Sequence, residues 1–219
     1  RLKKIDLVIF DTPNFYRNIF LFFKSNKVPI LTLDWFHRSK PDYNIVIFPH
    51  KKFFSIKKSF QGFKYIILRN SITNLSITKS KNHNILIVIG GGDKYNQGYE
   101  AAKLISKKNY KVTLIQGPLT KYPMNSEFKI IENPNNFSKI LNSFNTIITN
   151  GGGCLFESIY LRKNVFVLPQ SKNEIAVTNY FKSKKLIIDS GLKKLDKYEN
   201  FLKENNLLNK DLIDGKGLG

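Results

Sequence analysis

Residues 147–181 read IITNGGGCLFESIYLRKNVFVLPQSKNEIAVTNYF, and the order of signals in them decides the fold. An apolar run ends in Thr149 and Asn150 and gives way to three glycines, Gly151 to Gly153. A helical segment follows, with Leu155, Ile159 and Tyr160 on one side and Glu157 in its first turn. A β-rich run, Val165 to Leu168, stops at Pro169, and another amphipathic segment starts near Glu174. Strand, glycine turn, helix, strand, helix predicts a βαβ unit with its tight turn where open α/β sheets take their ligands. Glycines there let the backbone come close to a ligand. The unpaired N–H groups of the helix start then favour an anion such as a phosphate. Glu157, four residues past the last glycine, could reach hydroxyls of a sugar attached to that phosphate. The same residues equally suit a helix start that needs small side chains, with Glu157 favourable to the helix dipole.

The 219 residues suit one large or two small domains, and a hydrophobic content of 42% is enough for buried cores. The chain opens at Arg1 already in mid-pattern and ends abruptly in DGKGLG, which predicts a fragment. No signal-peptide pattern stands at the start, and no apolar run is long enough to span a bilayer. The single cysteine, Cys154, excludes an internal disulfide and cannot make a zinc site alone. A cytoplasmic location is the expectation. With 36 Lys+Arg against 16 Asp+Glu, the formal charge of +20 points first to nucleic acid or an anionic membrane. The lysines are scattered among Asn and Ile, however, as in KSKNHNI and KKNYKV, and no zinc finger or aromatic RNP motif accompanies them. Nucleic acid is therefore not expected as a partner. A weak contact with an anionic membrane stays open, because the aromatic-basic stretch 50–64 is either such a face or a solvated loop.

Outward from the central stretch, IDLVIFD at 5–11 suits a buried parallel strand, and Phe15, Ile19, Phe20 and Phe22 recur at helical spacing. Strands are expected at Val28 to Leu33 and Ile45 to Phe48, and a β-rich run after Gly62. Residues 70–84 lack an apolar period and predict a linker. The boundary this implies gives a domain over 1–75 and a second over 76–219. In the second, strands are expected at Ile85 to Ile89, Val112 to Ile115, Phe128 to Ile131 and Lys185 to Ile188. Helices are expected around Tyr99 to Ile105, at 136–144 and over Leu192 to Leu208.

A second glycine run, GGGDKYNQG at 90–98, is neither a Walker A loop nor a dinucleotide fingerprint, since no Gly-Lys-Ser/Thr follows and Tyr95 takes the third glycine's place. Two strand-to-glycine turns in one α/β domain are expected to line one crevice. His37, His50 and His83 sit in separate polar loops without metal-ligand spacing, so no metal site is expected. Cys154, at a helix start, is expected to have a lowered pKa and to act as a small residue beside the ligand.

Taken together and in order, these segments resemble the SpsG/PseG-type nucleotide-sugar hydrolases, relatives of the MurG-like GT-B glycosyltransferases. The features are LVIFD, LTLD, FQGFKYIILRNSI, ILIVIGGGD, TNGGGCLFES, LPQSKNE and the closing DGKG. The resemblance implies an α/β GT-B architecture, two Rossmann-like domains with a cleft between them, the N-terminal one incomplete. It implies that Gly152, Gly153, Cys154 and Leu155 approach a diphosphate and that Glu157 meets the ribose. Gly92 and Asp93 would face the sugar or phosphates, and Asn136 and Phe137 the uracil. No cofactor or metal is implied, provided helix-end N–H groups and lysines stabilise the leaving diphosphate. The implied reaction is hydrolysis of a UDP-linked diacetamido-trideoxy sugar in pseudaminic acid synthesis. A GT-B glycosyltransferase and a non-catalytic nucleotide- or nucleic-acid-binding module are the alternatives. Three departures stand out. The family's Gly-x-Gly-His segment with its catalytic histidine is absent, so no catalytic residue is assigned. The acidic pair after the second strand is Asp34-Trp35 here, and a usual glutamine is Glu174, which could still accept ribose hydroxyls.

Overall fold

A computed structural model of the chain describes residues 4–12, 14–34, 39–46, 58–78, 84–123, 127–197 and 213–216. It divides into two compact units, Arg1–Ile67 with Lys216–Gly219, and Leu68–Gly215.

The first unit carries a four-stranded parallel sheet in the order β1 (Val8–Phe10), β2 (Ile30–Leu33), β3 (Tyr43–Val46), β4 (Ser59–Gln61). Helix α1 (Arg17–Ser25) joins β1 to β2 and places Phe20 against Phe10 and Ile30. The strand expected at Ile45 to Phe48 begins two residues earlier, at Tyr43, and Ile47 and Phe48 lie outside the described residues. The β-rich run expected after Gly62 is no strand: β4 precedes Gly62, and Phe63–Tyr65 forms a 3-10 turn. Asp34 ends β2 with a left-handed φ of 48°, whereas Trp35 and the three histidines lie outside the described residues, as does most of 50–64.

The second unit holds a five-stranded parallel sheet. Its strands are β5 (Ile85–Val88), β6 (Val112–Gln116), β7 (Lys129–Glu132), β8 (Thr146–Thr149) and β9 (Asn164–Val167), in the order β7-β6-β5-β8-β9. Alternation of side chains along β5 sends Ile85 and Ile87 into one core and Leu86 and Val88 into the other, so both faces must be covered. Helices α3 (Gln97–Ser106), α4 (Phe137–Ser143), α5 (Gly153–Tyr160) and α6 (Lys172–Ser183) supply the cover. The order reverses between β5 and β8, and a glycine turn leaves the C-terminal end of each; this is the switch point where such sheets bind ligands.

Residues 70–78, expected as linker, belong to this unit. Helix α2 (Asn70–Thr73) buries Ile72 completely, and Thr78 is tied to Asn142 by its N–H and hydroxyl. The buried Lys163 donates to the carbonyls of Thr78 and Asn142 at 2.8 and 2.6 Å, fixing a segment that has no apolar period of its own. Lys185 to Ile188, expected as a strand, forms only an edge: Ile188 N–H donates to Val165 O, Val167 N–H to Asp189 O, and a lone bridge joins Val167 to Ser190. The helix expected at Leu192 to Leu208 is a 3-10 segment over Leu192–Lys197, with the remainder outside the described residues.

Burial would push the Asp189 carboxyl up, but the Lys182 ammonium at 2.6 Å, the Ser190 N–H and Lys194 hold it below the usual carboxylate range. A group depressed on folding stabilises the fold above its unfolded pKa and loses that contribution as pH falls through the folded value. Asp189→Asn is thus expected to cost about 1 kcal/mol at pH 7. The gap to the parent should narrow as pH falls below the ordinary carboxylate range in urea unfolding curves.

Candidate functional site

The glycine turn after β8 is built from the carboxylate of Glu174. Its Oε1 accepts from Asn150 Nδ2 at 3.0 Å, and its Oε2 accepts from the N–H groups of Gly151 and Gln170 at 3.2 and 2.7 Å. A Cβ on Gly151 would stand 2.9 Å from Glu174 Cβ, so the turn closes on this side chain only with glycine there. Ser171 caps α6 by accepting from Glu174 N–H. Glu174, expected at ribose hydroxyls, is therefore engaged in shaping the turn.

Beyond the turn, Gly152 caps α5, and the Leu155 N–H folds back to the Gly152 carbonyl at 3.0 Å. The Leu155 side chain is fully buried, whereas Gly153 is exposed and Cys154 half-buried. Both line a cavity of about 590 Å³ with Glu157, Arg69, Gly90 and Phe137. An added Cβ on Gly153 would meet nothing within 4 Å, so the backbone there lies open to approach. The Cys154 thiol is not lowered, contrary to the expectation. Burial pushes it up to about 11, with the Glu157 carboxylate adding to the rise, against relief from hydroxyl hydrogen bonds and Arg69. Desolvation outweighs the helix start here.

Glu157 does not stand free in this cavity. Arg69 grips it as a fork, Nε to Oε1 and Nη2 to Oε2, both at 2.6 Å. The carboxylate is buried while the arginine side chain is 53% exposed, and the guanidinium lies over the Phe137 ring, 5.1 Å from its centroid. The hydrogen bonds to Glu157 raise the Arg69 pKa further. Each carboxylate oxygen keeps a second lone pair for a ligand donor.

Gly92 and Asp93 border a separate cavity of about 540 Å³ with Lys94, Asn96, Leu119, Thr120 and Lys121. The Asp93 carboxylate is buried and engaged from within: Gln97 N–H, Gly98 N–H and Tyr122 OH donate to it at 2.9, 2.7 and 3.1 Å. It caps the start of α3. Burial, then this carboxylate, drives the Tyr122 hydroxyl well above its ordinary range. Asn136 caps α4 from an exposed position outside the larger cavity, whereas Phe137 lines it.

Of the ten expected residues, Gly153, Cys154, Glu157 and Phe137 thus share one cavity. Arg69, Gln116, Pro118, Asn133 and Pro134 line it too and were not expected. Arg69 could have been singled out as an arginine, the side chain suited to a planar carboxylate, in a lysine-rich chain. Asn133 and Gln116 gave no such signal, because the strand ends holding them are brought to the cavity by the β6–β7 pairing. Among the described residues no cluster of three His, Cys, Asp or Glu could hold a metal, and no helix is long and apolar enough to cross a membrane.

The fold is that of a GT-B-type α/β protein, with a cavity at the strand ends of its second unit. Three solved structures share the fold. The spinosyn rhamnosyltransferase SpnG, complexed with thymidine diphosphate, matches at TM-score 0.63 and 11% identity over 90% of this chain and 66% of that one. The MurG of Acinetobacter baumannii matches at 0.60 and 13% over 90% and 64%, and the S. aureus MnaA–UDP structure at 0.58 and 15% over 97% and 69%.

In sequence, the chain is 32% identical over 181 residues to an uncharacterised protein of Methanocaldococcus jannaschii, covering 72% of this chain and 35% of that protein. It is 28% identical over 142 residues to the Helicobacter pylori pseudaminic acid cytidylyltransferase and UDP-2,4-diacetamido-2,4,6-trideoxy-beta-L-altropyranose hydrolase, covering 64% of this chain and 27% of that protein. The chain spans only about a third of the length of these curated relatives. No protein-family profile matches it.

Proposed function

We propose that this chain binds the nucleotide of a UDP-sugar in the cavity of its second unit and belongs to a hydrolase that releases UDP and the free sugar in nonulosonic acid synthesis. The observation that carries the reading is the cavity itself. It lies at the switch point, has a size suited to a nucleotide-sized ligand, and joins an open glycine backbone at a helix start to a buried, arginine-gripped glutamate. The Gly153–Cys154 backbone is suited to the diphosphate and Glu157 to ribose hydroxyls, while the walls of Ile115, Pro118 and Phe137 suit a flat base. The relationship to the Helicobacter pylori hydrolase supports water as the acceptor: water oxygen bonds to the anomeric carbon, the bond to the diphosphate oxygen breaks, and UDP leaves. Transfer to another acceptor is the second reading, favoured by the likeness of fold to MurG and SpnG.

Calorimetric titration of UDP, with CMP and ADP as controls, tests the reading. UDP should bind selectively, and UDP-sugars should then be screened for release of UDP with water alone. A folded protein that ignores UDP would end the hydrolase and transferase readings together.

A further inference from the structure

The side-chain amide of Gln116, at the end of β6, is oriented before any ligand arrives. Gln116 is 7% exposed, and its Oε1 accepts from the Tyr122 N–H at 2.7 Å. Only the oxygen of an amide can accept from a backbone N–H, so the two ends cannot exchange. The residue lines the cavity. Among the described residues its Nε2 meets no acceptor, and it is not among the polar atoms sealed from solvent. What the side chain can offer a ligand is thus a donor with a fixed direction. Beside it stand the apolar Ile115, Pro118, Pro134 and Phe137, which suit the faces of a flat ring.

We propose that Gln116 selects the base, donating from Nε2 to the carbonyl at the 4-position of the ring and so favouring lactam pyrimidines such as uracil over cytosine, which carries an amino group there. The inference rests on the nucleotide reading of this cavity and adds to it the residue that chooses among nucleotides. A directed donor meets an acceptor on the favoured base and another donor on the rejected one, and such mismatches discriminate more sharply than shape alone.

The test is calorimetric titration of UDP and CDP, at pH 8, into the parent protein, Gln116→Glu and Gln116→Met. The glutamate keeps one oxygen for the Tyr122 N–H, so the loop tie survives, and melting curves verify this. Its second oxygen repels a carbonyl and accepts from an amino group. The preference for UDP over CDP should therefore fall by about tenfold or more in Gln116→Glu. In Gln116→Met the UDP affinity should drop while that for CDP stays. An unchanged preference in a folded Gln116→Glu overturns the role of Gln116 and leaves the nucleotide reading standing. Should that variant not fold, equal changes for both nucleotides in Gln116→Met overturn it instead. A parent protein that binds neither nucleotide removes the cavity reading and this role with it.

Discussion

Gly117→Ala is expected to destabilise the second unit by about 3 kcal/mol, at the upper end of what overpacking costs. A Cβ at this position would lie 2.7 Å from the Gly90 carbonyl oxygen and 2.9 Å from that of Gly91. Both contacts are backbone atoms, so no rotamer change relieves them. The Gly91 carbonyl is further fixed by the Leu119 N–H at 2.9 Å, and Thr120 Oγ1 accepts from the Asp93 N–H at 2.7 Å. The turns after β5 and β6 are thereby stitched together, and widening one displaces the other. Gly153→Ala is the control, because its Cβ enters open space. Equal urea midpoints for the two variants would show that the turns yield more easily than their hydrogen bonding implies.

Arg69→Met has the second large effect. It leaves a buried Glu157 carboxylate without its cation. Removing one partner of a fully buried pair costs about 3–5 kcal/mol. The exposed half of Arg69 discounts this, so about 2 kcal/mol is expected. The double variant Arg69→Met/Glu157→Leu should recover most of the loss, since it is the orphaned charge that is expensive. Additive losses in that cycle would mean that the fork contributes little. Under the proposed function, Glu157→Ala should also weaken UDP binding by about 1–3 kcal/mol, whereas unchanged affinity removes the glutamate from the ribose.

Much of this architecture was legible in the chain, and the reasons differ by region. Both glycine turns stood out because apolar runs stop abruptly at them, and a sheet buried on both faces leaves no other reading for Ile85 to Ile89 or for 146–149. The wrong assignments fall where packing overrides local pattern. Residues 70–78 have the composition of a linker but are anchored by Ile72 and by a lysine 85 residues away in sequence from Thr78. Lys185 to Ile188 is apolar enough for a strand, yet its bonds to β9 are too few to make one. Within the candidate site, chemistry was easier to foresee than occupancy. Asp93, Glu157 and Glu174 were all picked out as acids near glycine turns, and in the structure each is already bound to groups of its own chain. For Glu157 no spacing rule announces that, because its partner comes from 88 residues earlier, whereas Asp93 takes the N–H groups of Gln97 and Gly98 just ahead of it and Glu174 that of Gln170 just behind.

The reversal of strand order at β5 has a kinetic meaning as well. Strands β5, β6 and β8 pair with their successors, but Ile85 meets Thr146 only after a loop of about sixty residues has closed. Gly90 and Gly153, which share the cavity, come from opposite sides of that closure. The cavity therefore exists only once this long-range and entropically demanding pairing has formed. A ligand held by both turns acts as a clasp on that step, and its affinity reappears as resistance of the whole second unit to opening.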